Sequence, residues 1–275
     1  MMNLEFAFSP CPNDTFAFDG WVHKKIQADF AVQPALHDIW ELNIQALKGR
    51  YPISKVSAYC LGKITKEYAM LPTGCALGFH AGPKLIAKRP LAAAKLSDYT
   101  IAVPGEHTSA HLLLEILLGK PKKIIFLPYH QIVPAILNGL CDGGVIIHET
   151  RFSYHQYGLI EVADLGELFS KEYGLPIPLG MVVIKRSLGK GFAQIITRII
   201  QSSIAFAKMN PRSSLDYVTE LSQEKDKAII QKHIDLYVNA DTYEISKQSL
   251  QAIETLFQVA IDRKLLDRSA LEFMF

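Results

Sequence analysis

The sequence of 275 residues lacks the features that mark membrane and nucleic-acid-binding proteins. No uninterrupted apolar run reaches the ~18 residues of a membrane-spanning helix. The N-terminus has no positively charged segment followed by an apolar stretch, so we expect no secretory signal peptide. The chain carries 29 basic and 27 acidic side chains, whereas a protein that binds nucleic acid or a membrane surface needs a basic face. We therefore expect neither partner.

Cysteine is scarce and follows no ligand pattern. The chain has four cysteines and none forms a C-x-x-C pair, so we predict neither a redox site nor a metal site. His107 and His111 have helical spacing, but without a third ligand they are weak evidence for zinc. The loop 104–110 has no Gly-Lys-Ser/Thr ending, which argues against a nucleoside triphosphate. Dispersed thiols suit a reducing compartment, and we expect a cytoplasmic protein.

Strands and helices alternate through the first two thirds of the chain, which predicts an α/β fold with parallel sheets. The apolar fraction of 49% is enough for a substantial core. The pattern predicts strands at 4–8, 30–36, 53–57, 75–79, 84–88, 100–103, 123–127, 144–147 and 181–185. It predicts helices at 15–27, 38–48, 58–69, 109–118, 130–139 and 164–172, and then a helical C-terminal segment at 188–208, 212–222, 225–237 and 246–264.

Two extended apolar segments opened by proline or glycine, at 84–89 and 181–186, are predicted to cross between two lobes. The first lobe would comprise 1–88 and 186–275, and the second lobe 89–185. This is the layout of a two-lobed, periplasmic-binding-protein-like (type 2) fold. A small-molecule site is then expected in the central cleft between the lobes.

The turn Ser9-Pro10-Cys11-Pro12-Asn13-Asp14-Thr15 joins the first strand to the first helix. In an open α/β sheet such a turn lies at the strand edge where ligands bind. Its side-chain oxygens, including that of Asn13, can cap the helix start, and the first N–H groups of the helix favour an anion. A well-capped turn without a ligand remains the alternative interpretation.

Two further strand ends offer polar groups to the cleft. Lys55-Val56-Ser57 closes one strand, where backbone N–H groups and the serine hydroxyl could hold a carboxylate. Thr108-Ser109-Ala110 starts a helix in the other lobe and forms a second anion-receiving helix start. We therefore predict an anionic small-molecule ligand between Ser57 and Ser109, while an ordinary serine N-cap remains the alternative interpretation of Ser57.

His148 follows an apolar strand directly and is the best placed of the nine histidines for chemistry. An imidazole can take a proton from carbon or oxygen near neutral pH. The alternative is a half-buried histidine satisfied by a backbone carbonyl. We interpret Glu149 and Arg151 as an exposed pair, and His155 as the next candidate base should His148 have no role.

Several segments together resemble one enzyme family. Ser9-Pro10-Cys11-Pro12-Asn13-Asp14-Thr15-Phe16 resembles the N-terminal signature of the 1,4-dihydroxy-6-naphthoate synthases of the futalosine route to menaquinone. Further segments similar to that family follow in order along the chain: Leu77-Gly78 with Gly82-Pro83, Val103-Pro104-Gly105 with His107-Thr108, Ile146-Ile147-His148-Glu149 with Arg151-Phe152, Leu175-Pro176 with Pro178-Leu179-Gly180, and Tyr237-Val238-Asn239-Ala240.

The resemblance implies a binding-protein-like fold and a carbon–carbon lyase that splits cyclic dehypoxanthinyl futalosine to 1,4-dihydroxy-6-naphthoate. It implies that His148 accepts the proton and that the segments at 55–57 and 109–110 contact the substrate. It implies no metal or organic cofactor. Two alternatives remain: a chorismate dehydratase-like enzyme of the same pathway, and a non-catalytic small-anion-binding protein on the same fold.

Overall fold

The computed structural model describes residues 3–79 and 81–275. Strands and helices alternate as predicted through the first two thirds, and helices follow. The strands are β1 Asn3–Phe8, β2 Ala31–Leu36, β3 Ile53–Ser57, β4 Tyr68–Met70, β5 Ala76–Gly78, β6 Lys84–Ala87, β7 Thr100–Val103, β8 Lys123–Phe126, β9 Gly143–Ile146, β10 Ile160–Asp164 and β11 Ile177–Lys185. The helices are α1 Pro12–Val22, α2 Ile39–Leu47, α3 Ala58–Ile64, α4 Ser109–Leu118, α5 Tyr129–Leu137, α6 Thr150–Ser153, α7 Leu165–Tyr173, α8 Lys190–Met209, α9 Pro211–Leu221, α10 Lys227–Tyr237, α11 Ala240–Tyr243 and α12 Lys247–Asp262.

The strands form two mixed sheets. The first has the order β2-β1-β3-β11-β4, with β5 also paired to β11, and the second has the order β10-β6-β9-β7-β8. β1 runs parallel to β2 and β3, but β11 is antiparallel to β3, β4 and β5. In the second sheet β6 is antiparallel to β9 and β10. The predicted parallel pairing is found for β1, β2 and β3 and for β7, β8 and β9, whereas β6 and β11 run antiparallel to their neighbours and make both sheets mixed.

The positions of β6 and β11 also correct the predicted crossings. Among the described strands, β6 pairs with members of the second sheet and β11 with members of the first. The chain therefore passes between the sheets before each of these strands, not along 84–89 and 181–186. The division into lobes at 88/89 and 185/186 places both strands with the wrong sheet. We propose the same two lobes with boundaries just before Lys84 and Ile177.

Apolar side chains of the sheets pack against the flanking helices. All five residues of β3 are buried, as expected for a central strand covered on both faces. In the first lobe Phe6, Phe8, Phe18 and Trp21 form a tight aromatic cluster. This cluster fixes α1 against β1, and the polar turn between them is therefore held in place.

The N-terminal turn begins its helix earlier than predicted. Helix α1 starts at Pro12, with Cys11 in the N-cap position and no side-chain cap. Proline suits the first helical position because its missing N–H would be unpaired there anyway. Asn13, Asp14 and Thr15 thus lie inside the first turn and are not caps. Their side chains are free for the contacts described below.

Candidate active site

A cleft lies where the two sheets meet, and its empty space including the open mouth is about 670 Å³. Seven of the eight predicted site residues line it: Asn13, Lys55, Ser57, Thr108, Ser109, Ala110 and His148. Val56 does not, because alternate side chains of a strand point to opposite faces and Val56 faces the apolar core. The cleft is also lined by residues that the sequence analysis did not single out, among them Ile39, Leu179, His233 and Tyr237.

A buried ion pair lines the cleft. Lys55 Nζ is 3.1 Å from Asp14 Oδ1, and both side chains are only 4% exposed. Lys55 also donates to the carbonyl of Gly74. The carboxylate of Asp14 accepts further hydrogen bonds from Ser9 Oγ at 2.8 Å and from Asn13 Nδ2 at 2.8 Å. The charge of Lys55 is therefore already neutralised by Asp14.

The Ser57 hydroxyl is oriented by Asn43, which the sequence analysis missed. Asn43 Nδ2 donates to Ser57 Oγ at 3.0 Å, and Asn43 Oδ1 accepts from the Ser57 N–H at 2.9 Å. Asn43 is fully buried in α2. Within the described residues no acceptor takes the hydroxyl proton of Ser57. Ser57 can therefore donate that proton to a group in the cleft.

Ser109 joins the two lobes directly. Its Oγ accepts from the N–H of Ala58, the first residue of α3, at 2.9 Å and donates to the carbonyl of Leu179 at 2.6 Å. Asn43 Nδ2 adds a second bond between the lobes, to the carbonyl of His107 at 3.2 Å. The Ser109 hydroxyl is thus occupied by bonds to two residues of the first lobe, and it holds the lobes together.

The start of α4 supplies the backbone donors of the second lobe. Thr108 is the N-cap, and its Oγ1 accepts from the N–H of His111 at 3.3 Å. The first N–H groups of a helix have no partner within the helix. In α4 these belong to Ser109 and Ala110, both of which line the cleft. This end of the cleft therefore suits an anion such as a carboxylate.

His148 lies just beyond β9 in a left-handed backbone conformation, with φ of 57°. Such a conformation is uncommon for residues other than glycine, and asparagine, aspartate and histidine tolerate it best. It turns the imidazole into the cleft, where Tyr129 packs edge-on at 4.7 Å between ring centroids. The position of the ring thus depends on an unusual backbone angle.

Cys11 holds the imidazole from the other lobe. Its Sγ lies 3.1 Å from His148 Nδ1. Burial, reinforced by the nearby Glu149 carboxylate, raises the pKa of the Cys11 thiol well above its usual value. Cys11 therefore stays a neutral thiol at neutral pH and acts as a hydrogen-bonding partner of His148, not as a thiolate.

His233 is a second histidine in the cleft. It comes from α10, and its ring stacks beside that of His148 at 6.4 Å between centroids. Its Nε2 is 3.0 Å from Asn13 Oδ1. The sequence does contain a signal that marks His233 as buried, because it falls on the same helical face as the buried residues Ile230, Ile234 and Tyr237. A polar residue on such a face is a candidate for a buried functional contact.

The structure bears on two predictions about the segment after His148. Glu149 and Arg151 were expected to be an exposed pair, but they are 6% and 8% exposed. Arg151 Nη2 lies 3.5 Å from Asp164, and Glu149 accepts a bond from Ser222 at 3.3 Å. Both residues belong to the short helix α6, with Glu149 as its N-cap. His155, the reserve candidate, is exposed and does not line the cleft.

We expect folding stability to fall as the pH drops below 7, in part because of His233. Burial, with the charges of His148 and Arg151, lowers the pKa of His233 well below its usual value of about 6.5. Above pH 6.5 the His233 imidazole is neutral in both the folded and the unfolded protein. Below pH 6.5 it takes up a proton in the unfolded protein but stays neutral in the folded one, so acid favours unfolding. Going from pH 7 to 5.5 should therefore cost about 1 kcal/mol of unfolding free energy through this group.

Urea unfolding at both pH values measures this effect. The His233→Phe variant should lose less stability over the same pH range, by about that amount. A His155→Asn variant, altered at an exposed histidine, should follow the unmodified protein. Equal pH dependence in all three proteins would contradict the assignment.

Groups that could hold a metal ion are not found among the described residues: no three His, Cys, Asp or Glu side chains cluster there. The four cysteines are all free and buried. No helix in the described part of the chain combines the length and the apolar character needed to cross a membrane.

Comparison with known families and curated proteins gives consistent matches. The family described as menaquinone biosynthesis matches residues 4–262. A 1,4-dihydroxy-6-naphthoate synthase of Thermus thermophilus is 37% identical over 265 residues, covering 96% of each chain. One of Streptomyces coelicolor is 38% identical over 258 residues, covering 92% of this chain and 91% of the relative.

Solved structures show the same fold. A protein of Archaeoglobus fulgidus superposes with a TM-score of 0.91 at 30% identity, covering 96% of this chain and 98% of that one. The alkanesulfonate-binding protein of Xanthomonas axonopodis superposes with a TM-score of 0.74 at 14% identity, covering 98% and 96% of the two chains. The second match shows the fold alone. It confirms the predicted periplasmic-binding-protein-like architecture.

Proposed function

Because this chain belongs to the menaquinone biosynthesis family, we propose that it is a 1,4-dihydroxy-6-naphthoate synthase acting on cyclic dehypoxanthinyl futalosine. The chain is an enzyme of that pathway, and a carbon–carbon lyase reaction fits the name of its relatives. The observation that supports the proposal best is the pairing, in one cleft, of an anion-receiving helix start with an imidazole held by a neutral thiol. The substrate has both a carboxylate and an acidic position beside a carbonyl.

The carboxylate would lie at the start of α4. Ser57, Ser109 and Ala110 all line the cleft, and we propose that the N–H groups of Ser109 and Ala110 and the hydroxyl of Ser57 bind the carboxylate there. Lys55 is neutralised by Asp14, so neutral donors and the helix start would hold the anion. The aromatic ring system would then lie along the cleft, with its sugar-bearing end toward His148.

His148 would be the general base. Its imidazole lies against Cys11, whose sulfur is 3.1 Å from Nδ1 and 3.7 Å from Nε2, and a neutral imidazole keeps one ring nitrogen free to accept a proton. It would remove the proton beside the substrate's carbonyl. The bond to the sugar-derived part breaks with its electron pair leaving on that part, which takes up a proton, and the electron pair left by the proton that His148 removes makes the second ring aromatic. The enzyme's contribution is then proton transfer, typically worth 10²–10⁴-fold, together with orientation of the substrate.

Product formation tests the proposal directly. Purified protein is incubated with cyclic dehypoxanthinyl futalosine, and 1,4-dihydroxy-6-naphthoate is followed by its absorbance and mass. The dehydratase alternative is tested in parallel with chorismate as the substrate. Tight binding of the first compound without turnover would instead favour the small-anion-binding alternative.

The predicted cytoplasmic location is supported by four unpaired thiols, which suit a reducing compartment.

We expect the Ser57→Ala and Ser109→Ala changes to weaken ligand binding by different routes. Loss of the Ser57 hydroxyl removes a donor to the carboxylate, whereas loss of the Ser109 hydroxyl removes the bonds that close the lobes. Each should cost about 1–3 kcal/mol of binding free energy. Calorimetric titration with the product measures both, and unchanged affinity in the double variant would contradict the placement of the anion.

A further inference from the structure

The protonation of His233 is determined by a chain of hydrogen bonds that starts at Lys55. The carboxylate of Asp14, paired with Lys55 at 3.1 Å, can only accept hydrogen bonds. Asn13 Nδ2 donates to it at 2.8 Å, so the other atom of the Asn13 amide, Oδ1, is an acceptor. His233 Nε2 lies 3.0 Å from that oxygen and must therefore carry a hydrogen.

The other ring nitrogen of His233 is consequently an acceptor without a donor. Burial lowers the pKa of His233 well below its usual value, so the ring is neutral and Nδ1 has a free lone pair at neutral pH. Nδ1 is buried, and over residues 3–79 and 81–275 no group donates a hydrogen bond to it. The neighbouring Tyr237 hydroxyl donates elsewhere, to the carbonyl of Ala81 at 2.7 Å.

Leaving a buried acceptor unpaired is unfavourable, and His233 lines the cleft. Resting on the proposed function for the identity of the ligand, we propose that His233 is a substrate-binding residue whose Nδ1 accepts a hydrogen bond from a hydroxyl group of the ligand. A carboxylate would be disfavoured there, because it offers only acceptors. The hydroxyl-bearing end of the ligand therefore lies beside His148 and His233, and the carboxylate lies at the start of α4.

The experiment compares two ligands that differ only in hydroxyl groups. One is 1,4-dihydroxy-6-naphthoate, and the other is 2-naphthoate, which has the same rings and carboxylate. Calorimetric titration with oxygen excluded should show that the unmodified protein binds the first at least about tenfold more tightly. The His233→Phe variant should bind 2-naphthoate about as well as the unmodified protein and lose the preference. The His155→Asn control should keep it.

Two results would overturn the assignment: no preference in the unmodified protein, or a preference that survives in His233→Phe. If His233→Phe does not fold, nitrogen-15 NMR of the unmodified protein decides. The Nδ1 resonance should move toward that of a hydrogen-bonded acceptor on adding the dihydroxy compound and not on adding 2-naphthoate, and any other pattern rejects the assignment. These binding measurements need no turnover, so they test His233 independently of the proposed function. Failure of the proposed function would instead appear as the absence of product when the unmodified protein is incubated with the substrate.

Discussion

The His148→Asn variant should fold and bind ligand but lose turnover by roughly 10²-fold or more. Asparagine tolerates the left-handed backbone at φ of 57° better than most residues, so the substitution keeps the local fold. Its amide cannot accept a proton at neutral pH. The loss should therefore appear in kcat, with little change in the dissociation constant for the product. Steady-state rates and calorimetric titration measure the two quantities.

The matched control is His155→Asn, which makes the same change at an exposed histidine outside the cleft. It should retain the rate of the unmodified protein. Near-normal turnover in a well-folded His148→Asn protein would remove His148 from the mechanism. A loss confined to ligand affinity would make His148 a binding residue instead of a base.

The Lys55→Met variant should lose about 3–5 kcal/mol of unfolding free energy. Lys55 and Asp14 are both almost completely buried, so removing the lysine leaves a buried carboxylate without its counter-charge. Adding Asp14→Asn to Lys55→Met should restore much of the loss, because the buried charge is then gone. Urea unfolding of the three proteins measures these differences.

The control for this prediction is Lys185→Met. Lys185 lies 3.5 Å from Glu67, but both side chains are partly exposed. Exposed pairs contribute about 0–1 kcal/mol, so this variant should unfold near the unmodified protein. A similar small loss in Lys55→Met would mean that Asp14 is protonated or hydrated in solution, and it would contradict the buried pair.

Local patterns along the chain predicted most elements because strand and helix periodicities are local properties. The predicted helix at 58–69 instead ends at Ile64, and residues 68–70 form β4. That segment has no strong strand pattern of its own, and pairing with β11 makes it a strand. The edge strand β10 was missed for a similar reason, since its partner β6 lies far away in the sequence.

The predicted site residues were those that end strands and begin helices, which a single sequence can locate. Their partners could not be found in that way. Cys11 contacts His148 across 137 positions, and Asn13 contacts His233 across 220. Both contacts depend on how the two lobes and the C-terminal helices come together. Cys11 and Asn13 were therefore recognised as part of a motif, but their chemistry was visible only in three dimensions.

The position of β11 has a consequence for how the protein folds during synthesis. β11 is the strand that joins β3, β4 and β5 into one sheet, yet Ile177 pairs with Gly78 only after the entire second lobe has been made. The first lobe therefore has the longest-range contacts, which form slowly. We expect the second lobe to fold first as the chain leaves the ribosome. During that time the edges of β3, β4 and β5 that pair with β11 remain unpaired. That interval is the one in which chaperones would protect this chain from aggregation.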